Sequence, residues 1–168
     1  MPGPRRFLRT VTFTRPSNTT QYSVNDAVSD NATTPTAATF VLPSVSPAIG
    51  LGGLIKSVYL FKSDQDQTGA DFNLYLFDTQ PAAAGYEDNA LIAITDAEWA
   101  TCVGFVALVA TSDAASVDVG DAYHKTNLDW PFECVAGSTS LYSVLVARGT
   151  YTPASAEVFT IRIGGEVN

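Results

Sequence analysis

D-F-N-L-Y-L-F-D, Asp71 to Asp78, is the stretch whose pattern decides the fold. Phe72, Leu74 and Leu76 alternate with Tyr75 and Phe77, and a period of two is the signature of a β-strand. Both faces are apolar, so this strand is expected at the centre of a sheet with cover on each side. A partner subunit or the chain itself can supply that cover. The run before it, L-I-K-S-V-Y-L-F-K at Leu54 to Lys62, reads as a second strand. Its expected faces are Ile55, Tyr59 and Phe61 on one side and Val58 and Leu60 on the other. The acidic turn Ser63 to Gly69 joins the two.

Outward from this pair the same period recurs. R-T-V-T-F-T-R, Arg9 to Arg15, sets Val11 and Phe13 against threonines, as in a half-buried strand ended by Pro16, Ser17 and Asn18. Short elements are expected at Gln21 to Val28 and Thr39 to Leu42. Beyond the central pair, strands are expected at Val103 to Ala110, Ala115 to Val119, Trp130 to Val135, Ser140 to Arg148 and Glu157 to Ile163. One short helix is expected near 95–101, where Thr95 and Glu98 match a capping box and Trp99 would anchor the turn to the core. Many strands, little helix and Gly/Pro-rich turns predict an all-β, two-sheet antiparallel β-sandwich, jelly-roll-like ahead of immunoglobulin-like. The length of 168 residues suits one such domain. The division expected is a basic N-terminal arm over 1–15 that leads into the first strand, then a single sandwich domain over 16–168.

The net charge is −8, unevenly spread. Arg5, Arg6, Arg9 and Arg15 precede the first acid, Asp26, so the first 25 residues carry +4 and the remainder −12. An acidic body argues against nucleic-acid binding, which needs a basic footprint on phosphates. The basic arm suits an acidic protein neighbour instead, in a contact that salt would screen. No apolar run is long enough for a membrane span, and Met1 to Arg15 lacks the apolar core of a signal peptide, so folding in a cytoplasm is expected.

Residues able to carry chemistry are scattered. His124 is the sole histidine, which leaves a zinc site or a hydrolytic triad without partners. Cys102 and Cys134 match no metal-ligand spacing and read as two buried thiols. Asp64, Asp66 and Asp71, and then Asp113, Asp118 and Asp121, are acidic groups without an EF-hand pattern, most simply solvated turn acids. Asn18 and Asn31 head glycosylation-type triplets that matter only in a secreted eukaryotic protein. Gly50, Gly52 and Gly53 are not followed by the G-K-[ST] of a phosphate loop. Trp130, Tyr142 and Tyr151 would serve either as core or as a sugar-stacking platform. No enzyme, metal or cofactor is expected.

One resemblance extends this reading. T-F-T-R-P-S-N-T-T-Q-Y-S-V-N-D-A-V-S-D, Thr12 to Asp30, resembles the opening of a family of small virion structural proteins of tailed bacteriophages. F-N-L-Y-L-F-D at Phe72 to Asp78 and D-N-A-x-I at Asp88 to Ile92 are similar to later parts of that family. So are A-G-S-T-S-L-Y-S-V-L-V-A-R at Ala136 to Arg148 and Y-T-P-A-S-A-E-V-F at Tyr151 to Phe159. The nearest functional class is the capsid decoration, or cement, protein. The resemblance implies a virion location, binding to the outer capsid surface, and the major capsid protein as partner. It also implies self-association as a dimer or trimer. Within such a protein, Arg5, Arg6, Phe7, Leu8 and Arg9 are the expected partner-binding residues, the arginines supplying charge and Phe7 and Leu8 apolar anchors. The alternative is a tail-associated structural or carbohydrate- or receptor-binding module.

Overall fold

A computed structural model of the chain describes residues 4–36, 41–63, 70–117 and 120–167. Part of the expected strand at Thr39 to Leu42, the acidic turn with Asp64 and Asp66, and Asp118 with Val119 lie outside the described residues. The strands are β1 (Arg5–Thr14), β2 (Ala27–Val28), β3 (Val41–Leu42), β4 (Gly52–Lys62), β5 (Phe72–Phe77), β6 (Cys102–Leu108), β7 (Ala114–Val117), β8 (Gly120–Glu133), β9 (Leu141–Ala147) and β10 (Val158–Val167). Among the described residues there are also two single helical turns, α1 (Asp96–Trp99) and α2 (Ala110–Asp113).

These strands form two antiparallel sheets, ordered β1-β10-β4-β8-β7 and β2-β9-β5-β6. β2 and β3 both pair with β9, at Val146 and Leu145 and then at Tyr142 and Leu141, so they are two pieces of one interrupted edge strand. With β3 and β7 set aside, eight strands remain. In chain order the sheets then read first-eighth-third-sixth and second-seventh-fourth-fifth, the interlocked Greek keys of a jelly roll.

The core lies between the inner faces. Phe72, Leu74 and Leu76 of β5 and Leu145 of β9 face Val58 and Leu60 of β4 and Ile161 and Ile163 of β10, all of them buried. Phe72 is its aromatic hub, with edge-on contacts to Tyr123, Tyr151 and Phe159 at centroid distances of 5.8, 5.5 and 5.8 Å. The outer face of β5 and β9 is covered by the chain itself. Phe77, Val144 and Val146 form a second apolar cluster with Ala27 and Tyr86, flanked by Ile92 and Ile94. The doubly apolar pattern of β5 is thus satisfied by the long β5–β6 connection without a partner subunit.

Three expectations change. In β4 the pairing shifts register between Ile55 and Ser57, and this bulge turns Ile55 to the buried face with Val58 and Leu60. Tyr59 and Phe61 alone remain on the outer face. Of the expected strand at Trp130 to Val135, Trp130 to Glu133 form the end of a fourteen-residue strand, β8, and Cys134 and Val135 lie beyond it. Its centre hides from periodicity because Asn127 and Asp129 adopt φ of 58° and 50°, opposite the β4 bulge. Asn and Asp tolerate that left-handed conformation better than other side chains. Finally, Trp99 does not enter the core. α1 has its full capping box at Thr95 and Glu98, but Trp99 packs edge-on against Tyr75 and is 46% exposed.

Candidate functional site

The segment expected to reach out as an arm belongs to a sheet. β1 pairs with β10 from Arg5↔Val167 to Thr14↔Val158, four residues further back than the threonine alternation suggests. Phe7 extends the buried series Phe7, Val11, Phe13 by one step, and it overrides the polarity of its arginine neighbours. Its ring meets Phe132 edge-on at 5.9 Å and lies over Gly165, where a Cβ would come within 2.7 Å of it. Only glycine leaves that space. Phe7 is therefore a core residue and not an anchor offered to a partner.

Strand alternation divides the remaining four residues. Arg6 and Leu8 project from the outer face, where Arg6 Nε lies 3.7 Å from Glu166 Oε1 and Leu8 is 56% exposed. Arg9 turns to the inner side at the sheet margin, donating from Nε to the Ser44 carbonyl at 2.7 Å and from Nη1 to the Leu8 carbonyl at 2.9 Å. Arg5 is exposed and makes no ion pair among the described residues. Arg5, Arg6 and Arg9 line a shallow depression closed by Ser44, Val45 and Pro47. A second depression holds Arg6 beside Lys56, Ser57 and Gly164. Lys56 itself pairs with Asp129. The far side of β1 pairs with no strand among the described residues. The result is an open strand edge with three guanidinium groups and an exposed leucine.

A different cluster joins the segments that carried the resemblance. Arg15 follows β1 directly, and its side chain is wholly buried. All five of its N–H donors are used. Nε donates to Tyr22 Oη at 2.9 Å, Nη1 to the carbonyls of Asn18 and Ala154, and Nη2 to Asn18 Oδ1 and Asp88 Oδ2 at 3.0 Å each. Tyr22 donates in turn to Asp88 Oδ1, which also accepts from the Ser29 amide. The Tyr22 ring stacks on Tyr151 at 4.9 Å. Burial, with the Asp88 carboxylate beside it, pushes the Tyr22 hydroxyl far above its ordinary range, and burial raises Asp88 as well. A buried, hydrogen-bonded network of this kind fixes loop geometry. Thr12–Asp30, Asp88–Ile92 and Tyr151–Phe159 thus meet in one structural lock.

The other candidates separate in space. His124 is exposed on the outer face of β8, edge-on to Tyr59 at 6.4 Å, and Arg162 lies over the same tyrosine ring. Cys134 is buried and Cys102 partly so; both are free, and burial raises both thiols, which suppresses thiolate chemistry. Tyr151 is core, Trp130 packs over Gly104, and Tyr142 lies on the outer face of β9, so these three form no platform. Among the described residues no group of three His, Cys, Asp or Glu side chains is placed to hold a metal ion. Asp121 is buried beside Lys62, which also meets Glu157 at 3.1 Å, and Asp113 accepts from Lys125 at 2.6 Å. Two of the expected turn acids are therefore ion-paired and largely shielded from solvent.

No protein-family model and no curated protein matches the chain. Among solved structures it overlaps weakly with virus proteins. A chain from the full particle of Israeli acute paralysis virus heated to 63 degrees shares 12% identity at a TM-score of 0.36, over 97% of this chain and 71% of that one. A chain from the pentamer of the same virus shares 11% at 0.37, over 98% and 88%. A chain of Desmodium yellow mottle tymovirus shares 11% at 0.31, over 99% and 89%. Overlaps this distant say nothing about what the chain does; the strand order stands on its own pairing.

Proposed function

We propose that the chain is a structural protein of a virus particle, a decoration protein that binds the outer surface of the shell and bridges neighbouring capsid subunits. The observation that carries this reading is the open edge of β1, ten residues long, with Arg5, Arg6 and Arg9 along it and Leu8 exposed between them. Strand edges recruit extended segments through backbone hydrogen bonds, and flanking side chains choose the partner. Guanidinium groups on such an edge select an acidic one. The resemblance of five segments to tailed-phage virion proteins supports the same reading, as does the jelly-roll strand order, an architecture shared with capsid and lectin domains. A cement protein repeats a modest contact many times over a symmetric lattice, so each edge needs only moderate affinity.

The test is co-sedimentation of the purified chain with shells that lack it. Arg5→Glu combined with Arg6→Glu is expected to weaken binding at least tenfold while the melting temperature holds, because both side chains are exposed. Raising ionic strength should weaken the wild-type chain in the same direction. Unchanged binding by the double variant would remove β1 from the contact. Deleting residues 1–9 is the poorer experiment, since it also removes Phe7 from the core.

A further inference from the structure

We infer that β6 is a self-association edge, at which two copies of the chain pair antiparallel about a two-fold axis midway between their Phe105 residues. This goes beyond the shell-binding reading and does not rest on it, because β6 belongs to the other sheet. β6 ends the order β2-β9-β5-β6, so among the described residues only β5 pairs with it. Its sequence, C-V-G-F-V-A-L, contains no charged residue and no proline. Exposed edges are normally guarded by charge, proline, brevity or interruption. The other edges described here have such guards. β1 carries three arginines, β7 is four residues long, and the β2/β3 edge is broken in the middle.

The residue at the centre of the seven is Phe105, with 54% of its surface open. Its ring stacks on Tyr75 at 5.4 Å and 27°, and Trp99 meets Tyr75 edge-on at 5.8 Å. Three aromatic side chains thus form a row that runs out to the sheet margin and stops at solvent. An isologous contact sets each residue opposite its mirror position. Phe105 then faces Phe105 of the second copy, Val103 faces Ala107, and Gly104 faces Val106. Every facing pair is uncharged, so the edge is electrostatically compatible with its own image, whereas two copies of β1 would bring six arginines to one seam. The aromatic row would continue unbroken across the axis, with aromatic cross-strand pairs of the kind that stabilise sheets. Beneath the edge, Trp130 packs against Gly104 and closes the sandwich, so pairing requires no rearrangement of the core.

Sedimentation velocity on the purified full chain tests this. The wild-type mass is expected to be twice 17.8 kDa at micromolar concentration. Phe105→Lys should return it to 17.8 kDa with an unaltered far-ultraviolet spectrum and melting temperature, while Leu8→Lys, exposed on the other sheet, should leave the dimer intact. In a Cys102→Ser background, Phe105→Cys should form a disulfide-linked dimer on mild oxidation, because facing Cα atoms in antiparallel strands lie about 4.5–5.5 Å apart. A wild-type monomer at every concentration would overturn the assignment. So would a trimer, a dimer that Phe105→Lys does not dissociate, or a Phe105→Cys protein that stays unlinked.

Discussion

Arg15 shows how one side chain can fix a loop system. Its five N–H groups are all accepted, three times by Asn18 and Tyr22 of the loop that follows β1 and twice by Ala154 and Asp88 far along the chain, and its side chain is wholly buried. Removing one partner of such a network costs more than the bond is worth in isolation, because the groups left behind remain buried. Tyr22→Phe deletes the hydroxyl that accepts from Arg15 and donates to Asp88. It should lower unfolding free energy by about 2 kcal/mol in urea denaturation. A loss near zero would mean that the network contributes orientation but not stability. Sequence alone did not disclose this site. Arg15, Tyr22 and Asp88 are separated by as many as 73 positions, and no local period links them. The one available signal was that the segments containing them were also those that carried the family resemblance.

Elements with strong alternation were legible, and those shaped by long-range contacts were not. β5 and β9 were placed to within a residue or two because their apolar side chains recur at a period of two. The threonine alternation does not reach the start of β1, because Arg5, Arg6 and Arg9 obscure Phe7, whose burial depends on Phe132 and Gly165 far along the chain. Most of β8 is not visible as a period of two, because its kink at Asn127 and Asp129 answers a bulge in β4. Of the five expected partner-binding residues, the structure leaves Arg5, Arg6, Leu8 and Arg9 at the margin of β1 and withdraws Phe7. The capping box of α1 was legible because it is local. Against its burial, Glu98 is held below the usual carboxylate range by the Thr95 amide and hydroxyl and by the Ala82 amide. Its contribution is therefore full above the ordinary value of 4.5 and is lost as pH falls through the lower folded value. Acid titration followed by tryptophan fluorescence should show a local change at Trp99, absent in Glu98→Gln. The same acid phase in that variant would assign the change elsewhere.

At the scale of the whole molecule, the two sheets present different kinds of margin. One sheet ends in a long, arginine-bearing strand, and the other in a short, uncharged strand with an aromatic row. A chain with one edge for a shell and another for its own copy would bridge subunits as a pair, and each pair would hold the lattice at two points. The gain in avidity follows from geometry and not from a larger contact. Such a protein must be abundant, since a cement acts only where it repeats. Copy number per particle therefore tests the central claim most directly, measured by quantitative mass spectrometry on purified particles against the shell protein. The account predicts a ratio of the same order as that of the shell protein itself. A handful of copies per particle would contradict it and place the chain in the tail, and absence from particles would remove the structural role altogether.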